Sequence, residues 1–231
     1  MSNGNNDQKD IRLMKQNVFL SVIAMTLILT GCGNGNSKKT SGNEQTFPAE
    51  TAADSGWEAG YDRIEAADLP DNVFDLIGNQ WMLVTAGNKE SYNTMTASWG
   101  GLTYVWERPS TIMYIRDSRY TYQFLQREES FTLSFFTEQY RGALRICGTK
   151  SGRDTDKVKE AGLTPVETPS GLMSFAQARM IIECKKMLVQ ELDYANLTAP
   201  YKAAIMEESY NNEPSKHQLF ISEITHIWLK K

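Results

Sequence analysis

Apolar and polar positions divide the chain into three stretches. Residues 18–29 are apolar except for Ser21 and Thr26. Residues 33–56 are rich in Gly, Asn, Ser, Thr and Lys and hold almost no large apolar side chain. From Asp68 onward short apolar runs alternate with polar ones. Strands are predicted over residues 80–86, 95–102, 110–115, 131–136, 179–192 and 218–228; all but 95–102, which is small and glycine-rich, are aromatic or β-branched. Helices are predicted over residues 119–128 with Ser118 as N-cap, 138–147, 155–161 stopped by Gly162, and 200–209 opening on Pro200. Many strands, few short helices and no βαβ rhythm indicate a mainly β fold, a β-barrel with short decorating helices. No repeat or second linker interrupts residues 68–231, so one domain is expected there.

The run at 18–29 is shorter than the roughly 20 residues needed to span a bilayer, and it suits the h-region of a signal peptide. It ends in Leu29-Thr30-Gly31-Cys32, which resembles the lipobox of bacterial lipoproteins. Residues 1–32 are therefore expected to be a lipoprotein signal peptide with Cys32 lipidated; the alternative is an ordinary signal peptide with a chance cysteine. Asp7 and Asp10 are unusual in an n-region, whereas Met14-Lys15 begins a more typical one, which makes Met14 a candidate start. Residues 33–67 read as a flexible tether. This organisation puts the domain in the cell envelope, outside the cytoplasm and held to a membrane.

Composition narrows the picture further. The 231 residues are 41% hydrophobic and 23% charged, with a formal net charge of −4, which fits one globular domain plus an appendage. An acidic chain without a basic block argues against nucleic acid as a partner. Three Cys and two separated His leave no zinc constellation. Export would permit a disulfide between Cys147 and Cys184, while their apolar neighbours favour buried free thiols.

Two segments carry candidate chemistry. In Asn93-Thr94-Met95-Thr96-Ala97-Ser98-Trp99-Gly100-Gly101, small residues would let a flat ligand approach the backbone; equally, they would mark a bulge or tight packing. In Tyr114-Ile115-Arg116-Asp117-Ser118-Arg119-Tyr120-Thr121-Tyr122, a strand runs into a helix whose first turn gathers two arginines and two hydroxyls. Unpaired N–H groups, the helix dipole and guanidinium bonds suit a phosphate there. A capped surface helix with solvated arginines is the alternative.

Taken together, the two segments strongly resemble the flavin-reductase-like FMN-binding family (flavoredoxin type). Two more stretches strengthen the resemblance. Ser151-Gly152-Arg153-Asp154-Thr155-Asp156-Lys157 looks like the family's S-G-R-D-x-D-K loop, and Ile182-Glu183-Cys184-Lys185 like its central L-E-C-K strand. The resemblance implies an FMN-binding split β-barrel over residues 68–231. It implies that Asn93, Thr96, Ala97, Ser98 and Trp99 lie along the flavin ring, and that Arg116, Ser118, Arg119, Tyr120 and Thr121 hold the phosphate. Ser151, Arg153, Asp154 and Lys157 complete the cofactor site, and a homodimer is implied as well.

One departure concerns the family's D-H-x-x-x-x-G-E stretch, which here reads Lys216-His217 and, further on, Ser222-Glu223. His217 matches the flavin-proximal histidine and is the candidate catalytic residue. A lysine in place of the usual aspartate disfavours an imidazolium and removes a partner that would orient the ring. His226, in the last strand, reads as a structural histidine. The resemblance thus implies a redox flavoprotein that transfers hydride or electrons through non-covalent FMN. Its electron donor is either NAD(P)H, as in a flavin-reductase-like oxidoreductase, or a redox protein. The alternative is a non-catalytic flavin- or ligand-binding lipoprotein.

Overall fold

The computed structural model describes residues 57, 60–210 and 216–231. The expected signal peptide, Cys32 and the first part of the tether lie outside the described residues. Ten strands are described: β1 (Tyr61–Ile64), β2 (Met82–Gly87), β3 (Tyr92–Ala97), β4 (Gly100–Val105), β5 (Arg108–Arg116), β6 (Ser130–Phe135), β7 (Pro165–Glu167), β8 (Met173–Phe175), β9 (Met180–Glu191) and β10 (His217–Lys230). The α-helices among the described residues are α1 (Tyr120–Arg127), α2 (Arg141–Thr149), α3 (Lys157–Glu160) and α4 (Ala199–Tyr210).

Antiparallel pairing gives the order β3-β2-β6-β9-β10-β5-β4, with β1 added on β10 and β7–β8 as a separate ribbon. β3 and β4 end this path on opposite sides, yet only Ser98 and Trp99 separate them in the chain. The sheet must therefore curl until its two ends meet, leaving a seam that the chain crosses without a ladder. This is the expected split β-barrel. The small-residue stretch 95–102 is accordingly two strands. Gly100 is required at the crossing, because a Cβ there would lie 2.3 Å from the Ile112 carbonyl oxygen.

Side-chain alternation assigns the two faces of the sheet. Met82, Val84 and Ala86 of β2, Phe131, Leu133 and Phe135 of β6, and Ile182 and Cys184 of β9 share the main buried cluster with Met113, Ile115 and Phe220. The intervening Leu83 and Ile181 join a second cluster with Leu144, Cys147, Phe175 and Trp228, beneath α2 and the β7–β8 ribbon. All six β2 residues are buried because both faces are covered. Five of the six β6 residues are buried for the same reason. Thr132 and Ser134 point to the covered outer face, where Thr132 donates to the Met173 carbonyl (2.7 Å) and Ser134 bonds Ser174 (2.8 Å).

The folded part begins earlier than the expected residue 68. Tyr61–Ile64 pairs with the end of β10, and Trp57 stacks on Tyr61 with ring centroids 4.7 Å apart. Cys147 and Cys184 are free, buried thiols, and burial pushes them up to about 11 and about 12.

Candidate functional site

The seam opens into a groove lined by Met95, Thr96, Ala97, Ser98, Trp99, Tyr114, Arg116, Arg119 and His217, with a hollow of about 260 Å³. Each comes from an element end. β3 and the crossing supply residues 95–99, the end of β5 supplies Tyr114 and Arg116, and the start of β10 supplies His217 directly across the ladder from Arg116. Trp99 is 41% exposed and stacks on the His217 ring (5.2 Å, 27°), forming an aromatic shelf.

A second hollow of about 210 Å³ shares Arg116 and Arg119 with the first. Arg116, Arg119, Lys150, Arg153 and Lys157 line it with the hydroxyls of Ser118, Thr149 and Ser151, and among the described residues no carboxylate does. Fixed contacts preset the cations. Arg119 donates to the Gly148 carbonyl (2.9 Å), and Arg153 lies over the Tyr120 ring at 4.8 Å. Lys150 pairs with Glu160. Lys157 is buried and donates to the Cys147 and Lys150 carbonyls, each at 3.3 Å. Burial holds the Lys157 ammonium below its ordinary range; the Cys147 sulfur opposes that and the Arg119 charge adds to it.

α1 starts at Tyr120, one residue later than predicted. Arg119 occupies the cap position and no side chain caps the helix; Ser118 stays exposed. Within the first turn the Tyr122 N–H donates to the Arg119 carbonyl (2.9 Å), and Tyr120, at the helix start, lines the hollow beside Arg119.

A model of the flavin reductase like domain matches residues 74–231. The chain belongs to this family. Among solved structures, the flavin-reductase-like domain resembles an FMN-binding domain of a flavin-reductases-like enzyme from Shewanella baltica at 19% identity and a TM-score of 0.52, covering 73% of this chain and 76% of that one. It also resembles a flavoredoxin from Methanosarcina acetivorans at 17% identity and a TM-score of 0.50, covering 66% and 69%. A comparison with curated protein sequences gives no match.

Not every expected site residue of this flavin-reductase-like domain faces the groove. Ala97, Ser98, Trp99, Arg116, Ser118, Arg119, Tyr120, Ser151, Arg153 and Lys157 line the two hollows. Thr96 lines the first, but its hydroxyl donates to the Leu144 carbonyl and ties β3 to α2. Asn93 and Thr121 bond each other instead (2.7 Å, both buried), bracing β3 against α1. Asn93 also borders an adjoining hollow with Gly152, Arg153 and Asp154. Gly152 is needed for that approach, since a Cβ would meet Asn93 Oδ1 at 2.1 Å.

The structure gives Lys216 a partner of its own. The Lys216 ammonium lies 3.1 Å from the Glu191 carboxylate. The His217 ring is buried and its Nδ1 instead meets two phenols, Tyr194 Oη at 2.9 Å and Tyr210 Oη at 3.1 Å. Neither tyrosine was a candidate in the sequence. They come from the β9–α4 connection and the last turn of α4, and no local motif marks them. Tyr210 also packs edge-on against Trp99, and the Arg116 guanidinium lies over its ring while donating to the Ser209 carbonyl (3.1 Å).

Proposed function

We propose that the domain is a redox flavoprotein holding FMN non-covalently in the seam groove, with the flavin ring against residues 96–99 and the phosphate in the cationic hollow. The observation that carries this reading is the hollow itself. In a chain of net charge −4, five cationic side chains and, among the described residues, no carboxylate line one small space beside an uncapped helix start. That donor set fits a dianion, and the Trp99–His217 shelf beside it fits a flat aromatic ring. When bound, FMN would supply hydride or single-electron chemistry. The chain's own groups bind and orient: Arg116, Arg119 and Arg153 neutralise the phosphate, Trp99 covers the ring, and His217 offers a hydrogen bond at the groove's end. NAD(P)H or a redox protein is the proposed electron donor.

Lipid anchoring through Cys32 belongs to the same proposal, supported by Leu29-Thr30-Gly31-Cys32 after the apolar run. So does a homodimer, supported by the exposed Tyr104 and Trp106 at the tip of the β4–β5 hairpin. One purification tests all three. The protein should come from the membrane fraction, take up FMN released later with the mass of FMN, and sediment as a pair of chains. Recovery in the soluble fraction overturns the anchor, refusal of added FMN overturns the flavin site, and a single-chain particle overturns the dimer.

A further inference from the structure

We propose that Lys157 is a positioning residue that, with Arg119, caps the carbonyl end of α2 and turns a helix terminus of the wrong sign into a wall of the cationic hollow, so that the site selects a phosphorylated flavin. The inference rests on the proposed flavin site for its ligand but not for its chemistry.

α2 ends against the hollow, which Cys147, Thr149 and Lys150 help to line. The last carbonyls of a helix have no intrahelical partner, and together they carry about half a negative charge. Left bare, that end would repel a phosphate. Here it is covered carbonyl by carbonyl. Leu144 accepts from the Thr96 hydroxyl, Arg145 from the Thr149 hydroxyl (2.8 Å) and Ile146 from the Lys150 main-chain N–H (2.9 Å). The next two carbonyls go to cations from outside the helix. Cys147 accepts from Lys157 Nζ at 3.3 Å, and Gly148 from Arg119 at 2.9 Å. Lys157 Nζ also reaches the Lys150 carbonyl, again at 3.3 Å. Its place is set locally, because Asp156 caps α3 by accepting the Lys159 N–H (3.1 Å) and makes Lys157 the first helical residue. At 4% exposure, Lys157 is packed against the helix end and not displayed to solvent. It therefore acts on a phosphate through α2.

Burial also makes this amine the proton-sensitive member of the hollow. It holds the ammonium below its ordinary range, whereas an arriving dianion favours the ammonium. The charges facing Lys157 round the hollow are Arg116, Arg119, Lys150 and Arg153. Tyr92, Asp154 and Asp156 share the adjoining hollow with it, and Glu160 is tied to Lys150 and Thr155. Burial pushes the neighbouring Cys147 thiol up to about 11 and raises the Tyr92 phenol too, so neither brings a charge near neutrality. FMN should bind most tightly while Lys157 is protonated, and lose affinity as pH rises through the value of the free protein.

Titrations of the full-length protein with FMN and with riboflavin, from about pH 7 to about pH 10, test this. The ratio of the two affinities cancels what the ring contributes. In the parent it should be level near neutrality, where the phosphate is already largely a dianion, and fall at the alkaline end. Lys157→Met should weaken FMN about tenfold near neutrality, the scale of one charge-assisted bond, leave riboflavin within about twofold, and flatten the ratio against pH. Lys150→Met should keep the alkaline fall, because Lys150 is exposed and paired with Glu160. If Lys157→Met does not fold, calorimetry of the parent at about pH 9, in two buffers of different ionisation enthalpy, decides the same point. FMN should then take up protons and riboflavin none. Equal loss of both flavins in Lys157→Met overturns the inference. So does a parent ratio indifferent to pH, an alkaline fall that vanishes with Lys150, or FMN binding without proton uptake. If neither flavin binds, inorganic phosphate replaces them in the same titrations. Phosphate binding with a Lys157-dependent alkaline fall leaves the capped helix end standing and fails the flavin reading; no phosphate binding overturns both.

Discussion

β10 carries both histidines, and the structure gives them opposite company. At its start, His217 is met by two phenols and an indole at the rim of an open groove that Arg116 also lines. Near its end, His226 stacks on Trp228 (5.7 Å, 12°) and points Nδ1 at Glu183, whose carboxylate is fully buried under the outer cluster. Trp228 Nε1 donates to the other Glu183 oxygen at 2.9 Å. Charge in the sealed region is paired side chain to side chain and serves the fold. Cationic charge in the groove is gathered with no carboxylate among the described residues lining the space, and suits a ligand. A histidine's role here follows from what the tertiary structure brings to its Nδ1, not from its neighbour in the chain.

The largest effect should come from the sealed side. Glu183→Ala removes the acceptor of Trp228 and His226 and should cost about 3–5 kcal/mol, the scale of breaking one half of a buried pair. Urea denaturation measures it, and FMN affinity of the folded fraction should not change. Glu183→Gln isolates the charge. Burial raises the carboxyl, but hydrogen bonds from His226, Ser170, Thr168 and Trp228 outweigh that and hold it below its usual range. A carboxylate depressed in the folded state contributes stability above its unfolded value, about 4.3, and loses it as pH falls through the lower folded value. The stability gap between parent and Glu183→Gln should therefore be level near neutrality and shrink below about pH 4. A gap independent of pH would mean that shape, not charge, is what Glu183 supplies.

The groove side should show the converse. Arg119→Ala removes an exposed guanidinium from the cationic hollow. It should weaken FMN by about 1.5–3 kcal/mol, roughly ten- to hundredfold, and leave riboflavin and the urea midpoint nearly unchanged. Equal loss for both ligands would place Arg119 in the fold, and the contrast between the two regions would fail.

How much of this was legible in the chain depends on where each signal resides. The long strands at 179–192 and 218–228 were readable because β9 and β10 are central and apolar. β1 was not, since Tyr61–Ile64 is only four residues long, with exposed Asp62 and Arg63 between its two apolar ends. The β7–β8 ribbon has three residues in each strand, too few for a period to show. The phosphate-type residues were legible because they sit together in the chain at a strand-to-helix turn. Thr121 could not be told from its neighbours, because only the helix phase turns it inward onto Asn93. The partners of His217 were the hardest to see: Tyr194 and Tyr210 reach it from separate elements, while Lys216, adjacent in sequence, pairs with Glu191.

The smallest expected effect tests that last point. Sequence adjacency alone makes Lys216→Asp the substitution that should restore a carboxylate to His217 and speed reduction by NADH. In the structure the side chain at 216 leads to Glu191, and the Lys216–Glu191 pair is 63% and 50% exposed. Exposed pairs of this kind contribute about 0–1 kcal/mol. The introduced carboxylate would face Glu191, repel it weakly and remain on the surface, while both phenols keep Nδ1. Stability should fall by less than about 1 kcal/mol, the imidazole spectrum of His217 should not change, and stopped-flow reduction of bound flavin by NADH should stay within about twofold of the parent. A rate increase of about tenfold, some 1.4 kcal/mol off the barrier, would show that the new carboxylate reaches the ring. The phenols would then be bystanders, and the contrast between the two histidines would reduce to which carboxylate each one meets.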